Sequence, residues 1–277
     1  MRIDAHHHFW NYTTAEYGWI DGDMAALQRD FLPTDLEREI ARAGVDGVVS
    51  VQARQTLEET AWLLGLAAKH NFIKGVVGWV ELANPGVGAA LAQFASNPKL
   101  RGIRHVVQGE PDDNFILGPD FNRGVAQLAK FGLVYDILIF PKQLQPASQF
   151  VDRHPGQVFV LDHIAKPPIK TGGMEPWATQ IRELAQRPNV YCKISGMVTE
   201  ADYQRWTGEQ LRTYFEVVLA AFGPRRLMFG SDWPVCLAAG DYARWHQLVA
   251  GWISKLSAAE QARILGGTAV EAYGLQG

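Results

Sequence analysis

The chain has 277 residues, 47% hydrophobic and 20% charged, enough to bury a substantial core as one barrel or two small domains. Its 26 basic and 29 acidic residues leave a formal net charge of −3 with no long run of either sign. That balance excludes the electrostatic footprint of a nucleic-acid or membrane-surface binder and leaves a small molecule as the expected partner.

The opening MRIDAHHHFW lacks the apolar stretch and small-residue cleavage site of a signal peptide, and no later segment supplies the roughly 18 apolar residues of a membrane span. Cys192 and Cys236 are the only cysteines, too few for a disulfide framework and not spaced as Cys-x-x-Cys. A reducing, cytoplasmic setting is expected.

Eight short apolar runs then recur along the chain, at residues 2–9, 45–52, 73–82, 100–108, 133–140, 157–163, 190–195 and 227–232. Strand starts fall roughly every 30 residues, the size of one βα unit, and eight such units make a closed parallel barrel. Many of the intervening helical stretches open with Ser or Thr three residues ahead of an acid or amide: Thr34/Glu37, Thr56/Glu59, Thr207/Gln210 and Ser257/Glu260. Helix ends are marked by Gly44, Asn97-Pro98, Gly132 and Pro188. Runs such as VDGVVSV and LVYDILIF are nearly all apolar, as in strands covered on both faces. An open doubly wound sheet would predict a Gly-rich phosphate loop, and neither G-x-G-x-x-G nor G-x-x-x-x-G-K-[ST] occurs. The expected fold is therefore α/β, a single (β/α)8 TIM barrel over residues 1–277, slightly elaborated by its βα loops.

Chemistry in such barrels gathers at the C-terminal ends of the strands, and the titratable residues concentrate there. Strand 1 carries Asp4, His6, His7 and His8; strand 4 ends in Arg104-His105; strand 6 in Asp162-His163, followed by Lys166; strand 8 in Ser231-Asp232. Alternation puts Asp4, His6 and His8 on one face, with the two imidazoles roughly 6.6 Å apart at their backbones, able to converge on one metal ion or one oxygen. Asp232, where an apolar strand runs into a carboxylate, is costly unless paired or used, so it and His163 are read as catalytic. Only one of Arg104 and His105 can face inward. Asp162, Lys193 and Ser195 read as supporting groups, and Asp4 as a deeper carboxylate that orients a histidine or pairs with Lys193.

These stretches resemble a known family. DAHHHFW, RGIRHVVQGEPD, FVLDHIAKP, NVYCKISGMVTEADYQRW, FGSDWPVC and GGTAVEAYGL are similar to the amidohydrolase superfamily. Within it they resemble the amidohydrolase-2 type group of sugar lactonases, the L-fuconolactonase and L-rhamnonolactonase-like enzymes. The resemblance implies a hydrolase of carboxylic esters in which His6, His8, His163 and Asp232 are the catalytic or metal-binding set, with His105 also in the pocket. Two-metal members of the superfamily use a strand-4 carboxylated lysine or glutamate, and strand 4 here offers Arg104-His105, so at most one divalent ion, Zn²⁺, is expected. Catalysis without a metal is equally compatible with the resemblance.

On this reading Asp232 takes a proton from water attacking the carbonyl of a ring ester, while His6, His8 and His163, or a metal they hold, stabilise the oxyanion. A sugar lactone calls for polar groups and an aromatic wall, drawn from Trp10, Trp19, Trp79, Trp233, Gln52, Arg54, Gln108 and Lys166. Only Arg54 and Arg104 are placed to clamp carboxylates, which favours a neutral aldonolactone over a dicarboxylate lactone. The rivals are a Zn-dependent decarboxylase of the same superfamily and a non-catalytic sugar-binding protein, which would be expected to have lost Asp232 or a histidine. Assembly with further copies of the chain is left open.

Overall fold

A computed structural model describes residues 1–276. Eight strands form in chain order: β1 (Ile3–His7), β2 (Gly47–Val51), β3 (Ile73–Gly78), β4 (Leu100–His105), β5 (Val134–Ile137), β6 (Phe159–Leu161), β7 (Val190–Ile194) and β8 (Leu227–Phe229). Each pairs in parallel with the next, in the order β1 to β8. Just beyond β8, the Asp232 amide donates to the His6 carbonyl (2.8 Å) and the His8 amide to the Trp233 carbonyl (2.7 Å), which brings the last strand back to the first. The expected (β/α)8 barrel is the fold observed.

Eight helices cover the strands: α1 (Pro33–Ala43), α2 (Leu57–Lys69), α3 (Val87–Ala95), α4 (Pro119–Leu128), α5 (Leu144–Arg153), α6 (Trp177–Leu184), α7 (Gly208–Phe222) and α8 (Tyr242–Ile253). Two short ones, α9 (Ala258–Ala262) and α10 (Thr268–Tyr273), follow. Strand alternation divides the core in two. Outward residues such as Val48, Val76, Tyr135 and Phe159 pack under the helices, while Val49, Val51, Val77, Val134, Val160 and Met228 meet inside the barrel, where Ala269, Ala272 and Tyr273 of α10 join them. Each Val or Leu fully withdrawn from water contributes roughly 1.5–3 kcal/mol. The apolar inner layer confines polar side chains to the levels above it, toward the mouth.

Three of the four expected caps form: Thr56, Thr207 and Ser257 accept from the amides of Glu59, Gln210 and Glu260. Thr34 does not cap α1. Pro33 takes the first helical position, moving the boundary back to Leu32, and the Asp35 carboxylate accepts from the Leu32 amide (3.1 Å). Gly44 and Gly132 end their helices in the left-handed conformation, as expected.

β1 departs from regular alternation. Its register against β2 shifts between Asp4 and His7, so Ile3 and Ala5 pack in the inner core while Asp4 faces Ser231 and, in the helix layer, Tyr242. The expectation that Asp4 shares a face with His6 and His8 is corrected by this irregularity.

Candidate active site

The mouth is assembled from the C-terminal ends of β1, β4, β6, β7 and β8. Beyond β6 the chain makes an unusual turn: His163, Ile164, Ala165 and Lys166 have φ of 53°, 49°, 59° and 50°. The left-handed region costs L-residues roughly 1–2 kcal/mol each. Trp177 Nε1 donates to the Ile164 carbonyl (2.8 Å) and the Lys166 amide to the His163 carbonyl (2.8 Å), and the turn delivers His163 and Lys166 to the cavity wall. Asp232 is also left-handed, at 56°; such strain collects where a side chain has to be aimed. Gly196, after β7, has φ of +65°, and a Cβ there would lie 2.6 Å from His163 Nδ1. Only glycine lets that ring settle against β7, where Nδ1 shares a hydrogen bond with Ser195 Oγ (2.9 Å).

His6, His8 and Asp232 converge. His6 Nε2 lies 3.1 Å from His8 Nε2, and Asp232 Oδ1 lies 3.7 Å from the first and 3.5 Å from the second. The His8 tautomer follows from its other nitrogen: Nδ1 sits 2.8 Å from the Val51 carbonyl, which can only accept, so Nε2 presents a lone pair. A second group, His6, Asp162 and His163, lies alongside, but Asp162 is already committed to Lys193 (2.9 Å) and Arg104 (2.9 Å).

Charge below the mouth is compensated. Burial opposes ionisation of Asp162, yet Lys193, His6 and Arg104 outweigh it and hold the carboxyl well below its ordinary range. Burial also opposes the charge on Asp232, and His163, His8 and Lys166 together bring it below the usual value. His163 is pushed down to about 4, chiefly by burial, so near neutral pH its ring is uncharged.

A cavity of about 450 Å³ opens above these groups. His8, His163, Asp232 and Arg104 lie at its base, Gln108, Lys166, Glu200 and Tyr203 offer polar atoms, and Trp19, Met24, Leu138 and Phe140 form apolar wall. Lys166 Nζ pairs with Glu200 (3.5 Å) and stands 5.6 Å over the Phe140 ring. Among the described residues, Gln108 Oε1 is buried without a partner.

Of the sequence candidates, His8, His163, Asp232, Lys166, Gln108 and Trp19 line the cavity, with His6 directly beneath. Others lie elsewhere. His105 is turned outward because Arg104 takes the inward position, and both its nitrogens are engaged, by Glu110 (2.7 Å) and by the Trp79 indole (3.3 Å). Trp79 thereby also leaves the cavity wall. Trp10 is fully buried against Tyr17 and Phe31, and Trp233 packs on Phe9 and Phe31. Arg54 pairs with Glu16 on the loop after β1. Gln52 is buried behind Arg104, its amide donating to the Arg104 carbonyl (3.2 Å). Lys193 pairs with Asp136 (2.6 Å) and Asp162, not with Asp4, which accepts from the amides of Ser231 (2.8 Å) and His6 (3.1 Å). Glu200, Tyr203 and Met24 were not singled out; the first two lie within the family-like stretch NVYCKISGMVTEADYQRW, and Met24 has no signal beyond a place in a βα loop.

Comparison with known proteins gives a consistent picture. A family model described as amidohydrolase matches residues 3–275. An L-fucono-1,5-lactonase of Burkholderia multivorans is 43% identical over 99% of this chain and 96% of its own length. One of Burkholderia ambifaria is 39% identical over 99% and 95%. Two crystal structures of a B. multivorans amidohydrolase, one with bound HEPES and one with bound zinc, superpose over 100% of both chains with TM-scores of 0.96 and 0.97 at 42% and 43% identity.

Proposed function

This chain belongs to the amidohydrolase family, and from that footing we propose that it is a lactonase, a hydrolase that opens the ring ester of a neutral sugar-derived lactone of the L-fuconolactone kind. The observation that carries the reading is the mouth itself: a cavity of about 450 Å³, within the range of small-ligand sites, with an ionised carboxylate and an uncharged imidazole at its base. The 43% identical relative over the whole chain is an L-fucono-1,5-lactonase, which supports the same substrate class.

Asp232 accepts a proton from a water molecule as the water oxygen bonds to the lactone carbonyl carbon. With Ser195 donating to Nδ1, the His163 Nε2–H is free to donate, and it and the Arg104 guanidinium face the oxygen that gains charge. Collapse breaks the ring C–O bond, and the proton held by Asp232 passes to the leaving alkoxide, giving a hydroxy acid. Gln108, Lys166 and Glu200 supply hydrogen-bonding partners for ring hydroxyls, and Trp19 and Phe140 the apolar faces. The cations at the site are already paired, Arg104 with Asp162 and Lys166 with Glu200, which disfavours a dicarboxylate lactone.

The donor set fits one divalent ion. Ligands at about 2.0–2.1 Å around a tetrahedral ion lie roughly 3.3–3.4 Å apart, and the three acceptor atoms of His6, His8 and Asp232 are separated by 3.1, 3.5 and 3.7 Å. Such an ion would lower the pKa of a water molecule and polarise a carbonyl.

A pH-indicator assay on a panel of aldono-1,5- and 1,4-lactones tests the reading, with chelator-treated protein in parallel. Acid release from a neutral aldonolactone, reduced by chelation and restored by zinc, is expected. No acid release from any lactone would overturn it, and carbon dioxide release from an aromatic acid would transfer the site to decarboxylation.

A further inference from the structure

The floor of the barrel carries a concave site that the chemistry at the mouth does not use. A cavity of about 360 Å³ lies at the N-terminal ends of β3 and β4, lined by Asn71, Lys74, Pro98, Lys99, Arg101 and Gln276. Chemistry in such barrels gathers at the opposite ends of the strands, and none of these residues lines the cavity at the mouth. Three of the six are cations, two are amides and none is a carboxylate.

The cations are gathered by the sheet and not left to splay. The stem of Lys74 crosses Gly47 of β2, where a Cβ would lie 2.6 Å from Lys74 Cγ. The stem of Arg101 crosses Gly75 of β3, where a Cβ would lie 2.9 Å from Arg101 Cγ and 3.0 Å from Leu275 Cδ2. Glycine at both places lets a long side chain lie flat on the neighbouring strand while its charged head stays at the cavity. Lys99 Nζ donates to the Ile73 carbonyl (2.8 Å), which leaves its other protons for a further acceptor.

Charge here is uncompensated, in contrast to the layer below the mouth. Burial depresses the Lys99 ammonium below its ordinary range, and the charges that add to the effect, those of Lys74 and Arg101, have its own sign. Burial also lowers Arg101, whose Nε is shut away without a partner among the described residues. Like charges held together and partly withdrawn from water are unfavourable until a counter-charge joins them.

We propose that Lys74, Lys99 and Arg101 form a binding site for a phosphate dianion on the barrel floor, free or carried on a small monoester. A guanidinium presents parallel N–H groups to paired phosphate oxygens, and the lysines add point charges. The cavity of about 360 Å³ is at the lower end of small-ligand sites, which leaves room for an ester group beside the Asn71 and Gln276 amides. The site is independent of the lactonase reading.

Isothermal titration of the full-length protein with inorganic phosphate, glycerol phosphate and acetate, at an ionic strength fixed with sodium chloride, tests it. Saturable phosphate binding is expected, weakened about 10–100-fold in Arg101→Gln, the cost of a lost charge-assisted hydrogen bond, and by a smaller factor in Lys74→Gln. Acetate, with one charge, is expected to bind more weakly than either phosphate. Tighter binding of glycerol phosphate would mark the ester as the ligand, and tighter binding of inorganic phosphate the free ion. Both variants should keep the circular dichroism of the unsubstituted protein and its lactone hydrolysis within about twofold. Should Arg101→Gln fail to fold, Lys74→Gln decides by the same criterion. Phosphate heats no different from those of chloride would make the cluster a solvated patch, and phosphate binding undiminished in both variants would put the anion elsewhere; either result would overturn the site. Absence of lactone hydrolysis by the unsubstituted protein would remove the proposed activity and leave the phosphate result to stand or fall alone.

Discussion

Five buried histidines sit near the barrel mouth, and they divide into two regions by the face of the sheet they occupy. His6, His8 and His163 lie inside or at the rim, each with one nitrogen held by the protein and the other toward Asp232 or the cavity. His7 and His105 lie outside: His7 bonds Ser50 (2.8 Å), and His105 is taken up by Glu110 and Trp79 and stacked on Phe115 at 5.1 Å. Residue type and burial are alike in both regions. What separates them is where a free nitrogen points: His7 Nδ1 is also without a partner but is sealed outside the sheet, whereas the inner rings face Asp232 or the cavity, where chemistry can use them. Two buried carboxylates differ by the cations around them. Asp162, inside, is surrounded by cations and held well below its usual range. Glu59, outside, is pushed up to about 7, first by burial, which the amides of Arg54 and Ala53 and the charges of Arg54 and Arg104 only partly offset.

Substitutions on the two faces should separate sharply. The largest effect is expected from Asp232→Asn, a loss on the order of 10³-fold in kcat/KM, the reach of a general base; indicator assays showing less than tenfold would remove it from that role. His8→Asn should cost about 100-fold together with a fall in zinc content, read by metal analysis of the purified protein. On the outer face, His105→Gln should keep kcat/KM within about threefold while lowering unfolding free energy by about 2 kcal/mol, since the Trp79 indole and Glu110 lose a buried partner. Activity falling as far as in His8→Asn would erase the distinction between faces.

The smallest effect concerns pH. A carboxyl whose folded pKa is raised contributes stability that is fully present below its unfolded value, near 4.5, and lost as pH rises through about 7. Glu59→Gln should therefore flatten that decline and unfold about 1–2 kcal/mol later at pH 8. Urea titrations across pH 4–8 measure it, and parallel curves for the two proteins would rule out Glu59 as the source.

How far the site was legible varied with the kind of signal. DHIAKP and GSDWP announce themselves because a polar residue interrupts an apolar strand end, and both His163 and Asp232 reached the cavity. The inward residue at 104–105 was not readable, since alternation specifies that one of two faces in but not which. For Trp10, Trp79 and Arg54, a place in or near a βα loop was real but insufficient, because loop residues pack under the mouth as readily as over it. Glu200 and Tyr203 sit inside the family-like stretch NVYCKISGMVTEADYQRW, but nothing in it says which of its side chains face the cavity, and only the path of the loop after β7 brings these two to the wall.

The number of strands, their parallel order and the level at which chemistry gathers were written in the chain itself, because apolar periodicity and capping residues act over a few positions. Which face each polar side chain takes was decided by the tertiary structure. A register shift in β1 sends Asp4 outward and leaves His6 and His8 together, and four left-handed residues after β6 aim His163 and Lys166. Neither conformation is favoured locally; both persist because closing the barrel buries the bonds that hold them.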